Sequence, residues 1–73
     1  MKNMLAKRLS EWLQENRTSQ RELARNIHVS AMIVSDWTRG LAQPTAENIY
    51  LIAEYTRVSA DYLLGLSDTK SKK

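Results

Sequence analysis

The sequence predicts an all-α domain built from five short helices. Three observations lead there. Glycine and proline are scarce, two and one in 73 residues. No strand-like alternation of apolar and polar residues runs far. Apolar residues instead recur at helical spacing between capping and stop signals.

The first helix runs from about Asn3 to Glu15 and puts Leu5, Leu9, Trp12 and Leu13 on one stripe. Asn16 and Arg17 break it. Ser19-x-x-Glu22 is a capping box: the hydroxyl accepts from a free backbone N–H and the carboxylate reaches back to the cap. It opens a second helix, Gln20 to about Ile27, which buries Leu23, Ala24 and Ile27. Ser30 caps a third helix that ends near Arg39 and is stopped by Gly40. Pro44-Thr45 opens a fourth, running to about Thr56 with Ile49, Ile52 and Ala53 inward. Leu51, Tyr50 and Tyr55 cannot all face inward with them, so some of these lie near the surface, together with Leu63 and Leu66. Ser59 caps the fifth helix, Ala60 to Leu64, and Gly65 ends it. The domain thus occupies residues 1–66, and the polar, basic residues 67–73 read as a disordered tail.

So short a chain holds one core of modest stability. Without cysteine it has neither disulfides nor thiolate metal sites, and the lone His28 has no clustered carboxylates to help it bind a metal. No nucleophile–base motif or glycine-rich phosphate loop is present, so an enzyme is not the reading, and no cofactor or small-molecule ligand is implied. No apolar run approaches the ~18 residues of a membrane helix. The chain reads as soluble and cytoplasmic. Its formal charge of +3 reflects eleven basic against eight acidic groups; without Lys70, Lys72 and Lys73 the balance is eight to eight. Within that neutral body the charge is polarised. Residues 17–39 hold Arg17, Arg21, Arg25 and Arg39 against Glu22 and Asp36, whereas residues 40–69 hold Arg57 against Glu47, Glu54, Asp61 and Asp68. A polyanion would choose the basic middle.

The second and third helices are separated by only His28 and Val29 ahead of the Ser30 cap. So short a connection forces a steep crossing, the geometry of a helix-turn-helix over about residues 20–39, and Ala24 is small where the two helices approach. On a helical wheel Ile33, Val34 and Trp37 form a core-facing arc; Ala31, Met32, Ser35, Asp36 and Arg39 form the opposite arc. A helix with that outer face of small and polar side chains fits a major groove.

Ser19-Gln20-Arg21-Glu22-Leu23-Ala24, Val29-Ser30, Val34-Ser35-Asp36-Trp37-Thr38-Arg39-Gly40, Pro44, Ile52-Ala53 and Val58-Ser59-Ala60-Asp61-Tyr62-Leu63-Leu64-Gly65 follow one another at a spacing that resembles the Cro/CI-type (XRE) helix-turn-helix family of phage and bacterial repressors. The resemblance covers about residues 5–66 and implies a five-helix lambda-repressor-like fold that binds operator duplex DNA as a two-fold homodimer. In that family Gln20 stands where a phosphate is clamped and a groove contact braced. Arg21 and Arg39 stand where backbone phosphates are met, and Ser30 is both a cap and a phosphate donor. Ala31, Met32, Ser35 and Asp36 match base-facing positions, and Gln43 completes the candidate set from the following loop. Met32 suits a thymine methyl, and the acceptor-only Asp36 suits a cytosine amino group; alternatively Asp36 pairs with Arg39 on its own helix.

The sequence departs from the family pattern in three ways. His28 occupies the turn position where glycine supplies a positive φ, and Arg17 and Arg57 likewise stand where glycine or asparagine is common. Leu41-Ala42-Gln43 replaces a loop that often carries basic residues, and Asp36 puts a carboxylate toward the groove. These last two features keep a rival function open, a protein-interaction module of antirepressor or antitoxin type on the same scaffold.

Overall fold

The computed structural model describes residues 3–70 and contains five helices: α1 (Leu5–Glu15), α2 (Gln20–Ile27), α3 (Ala31–Thr38), α4 (Ala46–Thr56) and α5 (Ala60–Leu64). Four of them begin at a hydroxyl cap. The Ser19, Ser30, Thr45 and Ser59 side chains accept from the backbone N–H of Glu22, Ile33, Asn48 and Tyr62 respectively. Each removes one unpaired donor from a first turn. The reciprocal half of the Ser19–Glu22 box is not made among the described residues. α1 starts differently: Asn3 Oδ1, one residue ahead of Met4, accepts from Leu5 N–H at 2.8 Å. α4 starts two residues after its proline, with Thr45 as the cap and Pro44 buried beneath it.

The stops are backbone reversals. Arg17, His28 and Arg57 have φ of 51°, 64° and 64°, and Gly40 and Gly65 have φ of 75° and 93°. After α2, both the His28 and Val29 N–H groups donate to the Ala24 carbonyl. This closes the helix and aims the chain into α3. The three non-glycine residues are exposed, so their left-handed backbone carries a torsional cost without a packing clash.

One core joins all five helices. Leu5, Leu9 and Leu13 from α1 meet Leu23, Ala24 and Ile27 from α2, Val34 and Trp37 from α3, Ile52 from α4, Val58 and Leu63. Trp12 stands edge-on to Tyr55, ring centroids 6.0 Å apart, and extends that core between α1 and α4. Among the described residues Thr56 is the buried polar one; its hydroxyl donates to Ile52 O at 2.8 Å and accepts from Val58 N–H at 3.3 Å.

Three sequence expectations change. Ile33 is 43% exposed rather than part of the core. It lies about 40° beyond Trp37 on the helix wheel, at the edge of the apolar arc, and α1 and α2 close over the centre of that arc. Leu63 is fully buried instead of near the surface, because α5 packs on α1 and turns this residue toward Leu5 and Leu9. Leu51 and Tyr55 are half-buried against the core, leaving Tyr50 and Leu66 exposed. The third change concerns the tail. Residues 67–70 return along α1 and α5: Arg8 donates to the carbonyls of Tyr62 (2.6 Å) and Ser67 (2.8 Å), and Ser59 N–H donates to Lys70 O at 2.9 Å. Arg8 also lies 4.0 Å from the Tyr62 ring centre, and Lys70 reaches Glu15 at 3.3 Å. A half-buried guanidinium that needs acceptors, beside the Tyr62 and Ser67 carbonyls, explains the docking. Residues 71–73 of the expected tail lie outside the described residues.

Two outcomes test this account. His28→Gly leaves stability unchanged or raises it by up to about 1 kcal/mol in urea unfolding, since relief of the left-handed strain outweighs the added chain entropy. Arg8→Met, which keeps much of the apolar stem, costs roughly 1–3 kcal/mol because the carbonyl acceptors lose a charged donor, and amide exchange quickens at Ser59.

Candidate nucleic-acid interface

The crossing of α2 and α3 positions every candidate residue except Gln43. Leu23, Ala24 and Ile27 face Val34 and Trp37, and the buried contact turns the opposite side of α3 outward. Ala31 and Met32 are exposed, Met32 to 75%, and Ser35 and Asp36 are half-buried. Gln20 and Arg21, in the first turn of α2, and Arg39, at the end of α3, are exposed. Ser30 is exposed as well, and its hydroxyl accepts from Ile33 N–H at 3.1 Å, which leaves its own proton free to donate.

A short polar chain ties the two helices together. Gln20 Nε2 donates to Thr38 Oγ1 at 3.1 Å, and that hydroxyl donates to Ser35 O at 2.9 Å. The Thr38 carbonyl in turn lies 3.4 Å from the Ser10 hydroxyl of α1. Thr38 is thus a positioning residue that sequence reasoning missed. The available signal was its place in the Trp37-Thr38-Arg39 run, but nothing local says that Gln20 comes to it.

Asp36 and Arg39 do not pair. Among the described residues the ion pairs are Arg8–Asp68 and Lys70–Glu15, both distant from α3 in sequence, and none of them involves Asp36. Gln43 is exposed, but its Oε1 accepts from Asn3 Nδ2 at 3.0 Å, so it is held toward the start of α1 rather than toward Met32. Gly40 reverses the chain there with Leu41 N–H donating to Asp36 O at 2.9 Å. A Cβ at Gly40 would meet only Ala6 Cβ at 3.9 Å, so the glycine answers the positive φ and not a lack of space. Leu41 is 64% exposed beyond it.

Among the described residues no group of three His, Cys, Asp or Glu could hold a metal ion, and no helix is long and apolar enough to cross a membrane. α3 carries exposed small and apolar side chains near its N-terminus and the exposed Arg39 at its C-terminal end, and Arg21 is exposed on α2.

Residues 9–63 match the model of the helix-turn-helix family. The chain belongs to that family, in its Cro/CI-type form. The comparison with curated proteins gave no match. Among solved structures, a transcriptional regulator from Listeria innocua superposes with a TM-score of 0.84 at 25% identity, covering 89% of this chain and 61% of that one. The P22 c2 repressor in complex with a synthetic operator superposes with a TM-score of 0.82 at 25% identity, over 88% of this chain and 97% of that one. The DNA-binding domain of the same repressor in solution gives 0.80 at 25% identity, over 100% and 99%. This helix-turn-helix chain therefore spans about three-fifths of the Listeria regulator and nearly all of the P22 c2 domain.

Thr38→Val tests the polar tie. Its hydrogen bonds are only partly buried, so the substitution costs no more than about 1 kcal/mol, while the Gln20 side-chain amide signals in NMR shift to the values of a solvent-exposed, mobile glutamine. Unchanged amide signals would show that Thr38 does not hold Gln20.

Proposed function

We propose that the chain is a sequence-specific transcriptional regulator, a repressor that occupies operator DNA as a homodimer with α3 in the major groove. The observation that carries this reading is the outward face of α3, with Ala31 and Met32 exposed and Arg39 exposed at its C-terminal end, together with the exposed Arg21 in the first turn of α2. The groove is wide enough to admit a helix, and the two guanidinium groups suit the phosphate rows at its edges. The first turn of α2 adds free backbone N–H groups at Gln20 and Arg21, which favour an anion at the positive end of the helix dipole. The P22 c2 repressor, similar across nearly the whole chain, is bound to an operator in its solved complex. Such a regulator works where the DNA is, in the cytoplasm.

An exposed apolar surface supports the homodimer. The exposed Tyr50 borders an open hollow of about 460 Å³ between α4 and α5, floored by Ile49, Ala53 and Ala60. This largely apolar hollow, lined also by Glu54, Ser59 and Asp61, supports docking of a second copy. The exposed Leu41 on an uncharged loop favours the rival reading, a protein-interaction module.

Selection of bound duplexes from a random library decides between them: a two-fold motif supports the regulator, and no enrichment with salt-indifferent binding supports the interaction module. Arg39→Ala weakens binding to the selected and to random duplexes alike and lowers the salt slope by roughly one unit, read by fluorescence anisotropy at several salt concentrations. Tyr50→Glu lowers dimer formation in sedimentation, without loss of helicity in circular dichroism.

A further inference from the structure

Ser59 belongs to two structures at once. It caps α5, and with Ala60 and Asp61 it lines the hollow between α4 and α5. It is also held by the returning segment 67–70: its N–H donates to Lys70 O at 2.9 Å, and its hydroxyl lies 3.4 Å from Thr69 O. Nearer the other end of α5, Arg8 donates to the carbonyls of both Tyr62 and Ser67. A helix of five residues does not keep its own place. Leu63 anchors its middle in the core, and the strap of residues 67–70, with Arg8, sets its two ends. None of residues 67–70 lines the hollow itself.

Resting on the reading of the hollow as the seat of a second copy, we propose that residues 67–70 are a latch that controls dimerisation. Seated on α1 and α5, the latch fixes Ser59 and the α5 wall of the hollow in the arrangement that the second copy meets. Released, it leaves that wall to be ordered during association, at a cost in affinity. The latch can open without unfolding the domain, because none of its residues belongs to the core. Charge seats it. Lys70 Nζ lies 3.3 Å from Glu15 and 5.9 Å from the Tyr62 ring centre, and Asp68 lies 3.5 Å from Arg8. Lys70, Glu15 and Asp68 are all exposed, so both pairs are weak and within reach of solvent. A change of charge at Lys70 is therefore enough to shift the latch, and the effect passes to the hollow through Ser59.

Lys70 and Glu15 lie outside the hollow and outside the core, so their charges can be reversed without altering either. In the full chain, Lys70→Glu and Glu15→Lys each set like charges opposite one another and unseat the latch. Sedimentation equilibrium reads the dimer dissociation constant, and circular dichroism confirms that helicity is kept. The expected result is a constant raised roughly three- to fivefold by either change. The double variant, Lys70→Glu with Glu15→Lys, re-forms the pair in reverse and returns the constant to its original value. The two single changes move the net charge in opposite directions, so overall repulsion between copies cannot weaken the dimer in both. If all four chains dimerise equally, or the double variant fails to recover, the latch is overturned while the homodimer stands. If the unaltered chain forms no dimer at any concentration, the second-copy reading of the hollow falls, and the latch with it.

Discussion

The crossing of α2 over α3 is the constraint on which the rest of the molecule depends. The chain must reverse between Ile27 and Ala31, and it does so by placing His28 in the left-handed region with two N–H groups closing on the Ala24 carbonyl. Ala24 is buried and small, so the helices can approach closely while Leu23 and Ile27 reach past it to Val34 and Trp37. Helices of eight residues do not persist in water by themselves, because nucleation is costly and few bonds repay it. The pair is stable only when α1 covers one flank and α4 and α5 complete the core. The fold is in this sense a clamp that holds α3 at one angle.

That clamp explains why so many residues do two things. Ser30 caps α3 and keeps a free hydroxyl proton at the surface; Gln20 begins α2 and ties it to the end of α3 through Thr38. Polar bonds between the two helices add direction to a contact that apolar packing alone would leave free to slide. Met32 and Ile33 stand exposed because Val34 and Trp37 have taken the places on the core side.

The opposite end of the molecule solves a different problem. α5 is only five residues long and has few bonds of its own to hold it. Arg8 fills that need from α1, stacks on Tyr62 and draws residues 67–70 back along the surface, where Lys70 O takes the Ser59 N–H. A segment of polar and basic composition thereby becomes part of the domain.

Much of the architecture was legible in the residues because it is local. Caps at Ser19, Ser30, Thr45 and Ser59 and the reversals at Arg17, His28, Gly40, Arg57 and Gly65 depend on hydrogen bonds and torsions within a few residues of each. The apolar stripe of α1 and the buried pair Val34 and Trp37 follow from helical period. The tertiary structure alone decided the rest. Whether Ile33 or Leu63 is buried depends on which neighbour closes over the edge of each apolar arc. Gln20 and Thr38 are 18 positions apart, Arg8 and Ser67 are 59 apart, and nothing near either residue names its partner. Asp36 could reach Arg39 along its own helix, yet the two do not pair. Short-range periodicity specifies which side of a helix is apolar; only the packed arrangement of the other helices specifies how much of that side is covered.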